Sequence, residues 1–332
     1  MFAVFCAALA FAEPAPAPAA EWRVAVGAQA DADSHGILDL GWRRGAWSVE
    51  LLTDTVDGRW SPSWDGGRAW VAARVQPFAG QMLISPWVDG APAPELALMG
   101  IQAGPEGGAV AYLPGGLYAG GALAARYWTF APRGSETTAE VPAPRPVGTA
   151  DAILGWWRPA AELTIRAGAD LTPDRLAPHA VARLEVRPRW VVAPYLLAHG
   201  VIADDQDFLL TTRVGGLTPY VVPVAGAAWA EWWAEDVAAA RVGPRWQPDW
   251  GHIGLVADVA WFDGQTAAGF ATTARVAVAP WFADLAVGYA PWIERAPNVG
   301  RASVYFLLGR TWSAIRPRSA PADTLDADDP EE

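Results

Sequence analysis

The sequence predicts an all-β fold: a transmembrane antiparallel β-barrel of about 16 strands (range about 14–18) with one loop folded inward. Three observations point there. From Glu21 to about Ala314, apolar residues recur with a period of two, in short runs separated by Gly, Pro and Asp. The chain of 332 residues holds 20 Trp, more than a soluble core of that size needs, and many fall near the ends of those runs. Beyond the first residues there is no apolar stretch of ~18 residues, the length that would mark a membrane helix. Charged residues make up only 18%, below the ~25% usual in soluble domains. A Trp-rich soluble sandwich would alternate too. The barrel is preferred because one face of the runs carries Arg and Glu together, as a wet lumen would, and the other carries aliphatic and aromatic residues.

Taken in order, residues 1–12 (MFAVFCAALAFA) are a short apolar run ending in Ala10-Phe11-Ala12, which fits a small-x-small cleavage signal. The run is shorter than the ~20 residues of a membrane-spanning helix. It reads as a secretory signal, with a buried N-terminal element as the alternative. Cys6 is the sole cysteine, so disulfides and thiolate metal sites are excluded from the rest of the chain. Residues 13–20 form a short linker, and residues 21–314 the barrel.

Within the barrel, HIGLVADVAW sets Ile253, Leu255, Ala257, Val259 and Trp261 on one face and His252, Gly254, Val256, Asp258 and Ala260 on the other. Leu163, Ile165 and Ala167 alternate with Glu162, Thr164 and Arg166; Leu184 and Val186 alternate with Arg183, Glu185 and Arg187. Near the end, Ala302, Val304, Phe306 and Leu308 alternate with Arg301, Ser303, Tyr305 and Leu307. Trp22, Trp42, Trp47, Trp128, Trp190, Trp246, Trp250, Trp261, Trp281, Trp292 and Trp312 fall where an interfacial girdle would lie. Short turns such as Arg44-Gly45 would face the periplasm, and Ala131 to Gly148 would be an outer loop. AAWAEWWAEDVAAA reads as strand or helix, with strand preferred because both neighbours are strand-like. As a strand it would point Glu231 and Glu235 inward, toward acid–base work or, more simply, toward pairing with lumen arginines Arg213, Arg275, Arg183 and Arg166. Residues 315–332 are a polar, acidic, Pro-containing tail expected to be disordered.

No catalytic residues, metal ligands or cofactor motifs stand out. His35, His179, His199 and His252 lack metal-ligand spacing with one another, and neither GxSxG nor GxGxxG occurs. Much of the acidity behind the net charge of -12 sits in the tail ADTLDADDPEE, and no basic patch suggests nucleic acid. The expected partner is outer-membrane lipid, and the expected function is not enzymatic.

One segment fits neither a strand nor a surface loop. TRVGGLTPYVVPVAG (Thr212 to Gly226) has three Gly and two Pro, yet is mostly apolar with a single charge, Arg213. A loop tucked into a barrel accounts for it. Shielded from bulk water, it tolerates apolar residues; Gly215 and Gly216 suit a sharp tip, and Pro219 and Pro223 stiffen the returning limb.

The last third of the chain resembles the C-terminal barrel of the bacterial surface antigen superfamily, the BamA/TamA and two-partner-secretion group. Val214-Gly215-Gly216-Leu217 is similar to the tip of that family's inward loop, with Gly where many members carry Arg and Leu where they carry an aromatic. Five segments follow the tip, at about 225–247, 251–263, 267–279, 281–292 and 301–312. Asp258 in Gly254 to Phe262 matches the family acid that meets the loop, with Ala260 in place of a Gly. Gly309 and Trp312 match the last strand, which acts as an assembly signal in the family. The resemblance implies 16 strands, a plug at 213–226 with Arg213, Gly215, Gly216 and Leu217 at its tip, and Glu231 and Asp258 as its lumen partners. It also implies an outer-membrane protein of assembly, secretion or scaffolding that meets the outer-membrane assembly machinery. Residues 13–20 leave no room for POTRA domains, so client recruitment through such domains is not implied. A porin-like channel for small solutes is the alternative; no client or solute is legible.

Overall fold

The structure, a computed structural model, describes residues 20–31, 35–53, 55–78, 87–88, 90–207, 210–217 and 221–313. The signal segment, most of the linker and the acidic tail lie outside these residues. So does Pro219.

Sixteen antiparallel strands form the wall. β1 (Glu21–Ala30), β2 (His35–Arg44), β3 (Trp47–Leu52) and β4 (Thr55–Trp60) open the chain. β5 (Gly67–Phe78), β6 (Leu98–Leu113), β7 (Leu117–Pro132) and β8 (Arg145–Arg158) follow. β9 (Ala161–Leu171), β10 (Leu176–Val186) and β11 (Val192–Ala203) lead into the longest connection, residues 204–236. β12 (Val237–Trp246), β13 (Gly251–Phe262), β14 (Gln265–Val278), β15 (Trp281–Tyr289) and β16 (Ala302–Ser313) complete the wall. Each strand pairs with its neighbours in sequence, and β16 returns to β1 in register from Glu21↔Ser313 to Ala30↔Val304. Closure leaves no open edge. In hydrocarbon that is obligatory, because an unpaired backbone N–H or C=O there costs several kcal/mol.

The period of two sorts the side chains as the sequence predicts. In β13, Ile253, Leu255, Val259 and Trp261 are exposed on the outer surface, while Val256, Asp258 and Ala260 are buried inside. The outer surface is a band of exposed Val, Leu, Ile and Phe, among them Val26, Leu123, Ile202, Leu255 and Val287. So much exposed aliphatic surface is tolerable only against lipid. No helix among the described residues is long and apolar enough to cross a membrane; the crossing is made by strands.

The long connections all lie at one end of the barrel. At the end where the barrel begins and finishes, the connections are short: 45–46, 61–66, 114–116, 159–160, 187–191, 247–250 and 279–280. The other end carries the long ones, 79–97, 133–144, 204–236 and 290–301, beside short turns such as 172–175 and 263–264. Short turns mark the periplasmic side of such barrels and long loops the outer side. Trp22, Trp42, Trp47, Trp64, Trp190, Trp246, Trp250, Trp281 and Trp312 are solvent-accessible and lie toward the short-turn end. Trp22 and Trp42 meet with ring centroids 6.3 Å apart, and Trp246 and Trp250 at 5.6 Å. Trp261 and Trp292 mark the long-loop end.

Two expectations fail. Trp128 is not a girdle residue: it falls on the inward set of β7, opposite to exposed Leu123 and Tyr127, and is buried against Val147, Phe130 and Leu210. The segment 225–247 is not one strand, because only Val237–Trp246 belongs to the wall. Its earlier part lies inside the lumen, where Trp232–Ala234 pairs with Thr212–Val214 and Ala230 turns the chain at φ 50°. Alternation misled here because a loop buried on all sides has no solvent face to betray it. Glu231 and Glu235 therefore do not project from a wall strand. Glu231 is buried within the loop and Glu235 half-buried at its exit.

The lumen loop as candidate functional site

The loop 204–236 leaves β11 at the long-loop end, enters the barrel and returns to β12. Its residues 221–228 are all buried. Val214, Val222, Val224, Ala227 and Ala234 pack against Val201 of β11, Val237 and Ala239 of β12, Ala260 and Phe262 of β13 and Ala267 of β14. Deeper in the barrel, Leu217 and Ala225 join Ala25, Ile37, Tyr195, Leu197, Val256, Ala271, Ala286, Tyr305 and Leu307. The inward faces of β11 to β16, β1 and β2 are thus apolar where the loop lies. That explains the loop's composition: its solvent is the barrel wall.

Gly215 and Gly216 stand at φ 116° and 95°. L side chains rarely adopt such angles, and a Cβ at Gly215 would lie 2.6 Å from the Ala228 carbonyl oxygen. One at Gly216 would crowd Gln29 and Trp229 at 3.1 Å. This limb of the loop lies beside 222–224, with the Gly215 N–H donating to Val222 O at 2.9 Å and the Gly216 N–H to Val224 O at 3.2 Å.

Side chains of the wall, and Asp31 beside it, satisfy further backbone donors of the loop, which are costly to bury unpaired. The Ala225 N–H donates to Asp258 Oδ2 at 2.8 Å, and the Gly226 N–H to Ser303 Oγ at 3.0 Å. The Leu217 N–H reaches Gln29 Oε1 at 3.4 Å, and the Trp229 N–H reaches Asp31 Oδ2 at 3.1 Å. The loop is therefore tied to β13, to β16 and to the β1 side of the barrel at once.

Asp258 is fully buried. Its charge is matched by Arg241, cross-strand from it on β12, whose Nε donates to Oδ1 at 2.7 Å and Nη2 to Oδ2 at 2.8 Å. A two-pronged, hydrogen-bonded pair is the arrangement that makes a buried carboxylate tolerable. The tip residue Arg213 was expected to reach Asp258 or Glu231 and reaches neither. It stacks over the Trp233 ring at 3.5 Å and contacts Thr211 Oγ1 at 3.5 Å, and its Nη2 has no hydrogen-bond partner. Burial lowers its guanidinium from the ordinary range to about 9. The reason for the exchange is register: Arg241 already sits opposite Asp258, so the acid is neutralised within the wall and needs only a backbone N–H from the loop.

Glu231 bonds within the loop, accepting from the Ala228 N–H at 2.9 Å, and pairs with Arg295 of the 290–301 loop. Both side chains are buried. Burial pushes the Glu231 carboxyl up to about 7; Arg295 and the Ala228 N–H pull it back down. Arg295 also stacks over Trp87 at 4.4 Å, in a small hairpin of Trp87–Val88 with Ala91–Pro92, and the Ala296 N–H donates to Gly90 O at 3.1 Å. Two outer loops thus meet above the plug, beside a cavity of about 890 Å³. The other arginines named with Glu231 find partners within the wall: Arg166 lies 4.0 Å from Asp151, Arg183 3.1 Å from Glu185 and Arg275 3.7 Å from Asp284.

The facing half of the lumen, from β4 to β10, is charged. Asp57 pairs with Arg74 at 2.9 Å, Glu106 with Arg126 at 3.6 Å, and His179 lies between Asp151 at 2.8 Å and Asp170 at 3.1 Å. A polar chamber of about 220 Å³ remains there. The loop reaches this half only near its start: Gln206 donates to Asp170 at 2.8 Å and Asp207 pairs with Arg145 at 2.6 Å. Among the described residues no group of His, Cys, Asp and Glu could hold a metal ion.

Gly309 and Trp312 lie on β16. A Cβ at Gly309 would overlap the Phe282 ring and crowd Ala25 at 2.7 Å, so the glycine is needed for close packing at the closing seam. Trp312 is exposed outward, opposite Trp22 of β1. Sequence reasoning missed Arg241, Ser303, Gln29, Asp31 and Arg295. The signal for the first two was present: a polar residue on the inward parity of an otherwise apolar strand. For Arg295 there was none.

No protein-family model matches the sequence, and no curated protein matches it. Solved structures do. The fold is similar to that of CdiB from Acinetobacter baumannii, with TM-score 0.68 and 10% identity over 88% of this chain and 60% of that one. It is also similar to BamA from Haemophilus ducreyi lacking POTRA domains 1-3, with TM-score 0.61 and 9% identity over 89% of this chain and 70% of that one. The chain thus spans less than two thirds of the CdiB structure. At these identities the likeness is one of fold, and the fold is the sixteen-stranded outer-membrane barrel expected from the residues around Gly215, Asp258 and Gly309.

Proposed function

We propose that this chain is an outer-membrane barrel of the assembly, secretion or scaffolding type, non-catalytic, whose lumen is closed by the loop 204–236. The observation that carries the reading is the fastening of a largely apolar loop to β13, β16 and the β1 side through Asp258, Ser303, Gln29 and Asp31. A solute pore has no use for a segment that packs Val and Ala inside its bore. A segment held by backbone hydrogen bonds to several strands can instead couple the two ends of the wall. In this reading the partners are the surrounding lipid and the outer-membrane assembly machinery. The likeness to CdiB and BamA supports it at the level of fold.

Planar-bilayer recording of the refolded chain tests it. The expected result is a closed or flickering intact protein and a large steady conductance after deletion of residues 213–222. Unchanged conductance on deletion would sink the plug. The charged half-lumen around Arg126, Asp151 and Asp170 favours a second reading, a channel for small polar solutes. A large, steady conductance of the intact protein would favour that reading over the first.

A further inference from the structure

The outer face of the wall is apolar, so a cation on it needs an explanation. Arg310 lies on β16 between Leu308 and Trp312, all three exposed outward. Among the described residues it makes no ion pair, and the acids paired with arginine in the wall face the lumen. Its guanidinium lies over the Trp281 ring at 5.2 Å and the Trp312 ring at 6.0 Å. Trp281 is its cross-strand partner on β15, and Trp312 stands opposite Trp22 across the closing seam. The group sits at the short-turn end, level with the Trp girdle and three residues from the last wall residue, Ser313. That is the depth of lipid headgroups, where indoles gather and Arg side chains turn their heads toward phosphate.

We propose that Arg310, held between Trp281 and Trp312, binds the phosphate of an anionic phospholipid at the periplasmic rim of the barrel, beside the junction of the first and last strands. The two indoles flank the planar guanidinium at 5.2 and 6.0 Å, and a planar fork of N–H donors matches phosphate oxygens better than a point charge does. Charge complementarity selects the occupant: an unpaired guanidinium at headgroup level faces anionic lipid rather than acyl chain. Arg158 over Trp156 at 5.9 Å is a one-sided version elsewhere on the same rim. The inference rests on the outer-membrane reading.

Native mass spectrometry of the refolded full chain in detergent with added phosphatidylglycerol tests it. The wild type is expected to retain one tightly bound lipid. Arg310→Gln should lower the one-lipid fraction at least fivefold, with Arg310→Lys in between. Trp281→Leu, which keeps the charge, should lower it about threefold and serves if Arg310→Gln does not fold. Equal retention by wild type, Arg310→Gln and Trp281→Leu would overturn the proposal. Displacement of the lipid by inorganic phosphate would overturn it too, by making this an anion site of no lipid preference. Heat-modifiable gel mobility on the same samples separates the two failures: a wild type without a shift contradicts the membrane barrel itself, whereas shifted samples with equal retention contradict only the lipid site.

Discussion

Asp258 is the residue on which most of the loop's geometry turns. It is fully buried, doubly bonded to Arg241 and accepts the Ala225 N–H. Removing one partner of such a pair leaves an uncompensated buried charge, at about 3–5 kcal/mol. Asp258→Ala or Arg241→Met is therefore expected to lower the temperature at which the protein loses its compact gel mobility, whereas the double variant should recover part of the loss. Within the loop, Gly215→Val places a β-branched residue at φ 116° and forces a Cβ toward Ala228 O. Strain of this kind costs about 1–3 kcal/mol, which should undock the loop without unfolding the wall, seen as open-channel conductance. Glu231 supplies a pH dependence. Its docked carboxyl is raised to about 7 from 4.5, so the docked loop holds the proton more tightly than a released one. The stabilisation is complete below pH 4.5 and is lost as pH rises through 7. Docking should be tighter at pH 5 than at pH 8, and Glu231→Gln should flatten that dependence in the same conductance assay.

At the scale of elements, the closing pair of β1 and β16 is sensitive to Gly309. Gly309→Leu drives a side chain into the Phe282 ring and Ala25, separating β15, β16 and β1 where they meet. Overpacking of this sort costs about 1–3 kcal/mol. The expected result is a lower thermal midpoint by the gel-mobility assay, with a smaller effect for Gly309→Ala. The wall strands were legible because each has one face in lipid and one inside, so period two survives in the residues themselves. The loop strand Trp232–Ala234 was not separable from β12, since both of its faces are covered. The same reasoning places Trp128: it stands near the end of β7, as girdle residues do, but on the inward parity.

The whole molecule is a tube with two unlike halves. From β11 round to β2 the loop packs on apolar side chains of the interior; from β4 to β10 ion pairs surround a polar chamber. Deleting the loop would expose Val201, Ala260 and Phe262 to lumen water. The deletion protein should therefore be less heat-stable as well as more conductive, a joint outcome that a simple porin lining would not give. The barrel as a unit predicts a membrane-fraction protein whose unboiled form migrates faster than its boiled form; a soluble protein with no shift would contradict it.

The sequence by itself determined the all-β barrel, the outward and inward faces of most strands and the aromatic rim, because these follow from alternation and composition, which are local. The tertiary structure alone decided which charges meet. Arg213, near Gly215 in sequence, lies on Trp233, while Asp258 is claimed by Arg241 and Glu231 by Arg295. Ion pairing falls as 1/r in space and is indifferent to distance along the chain. Partners are thus set by strand register and by how a loop crosses a lumen, and neither is written in the order of residues.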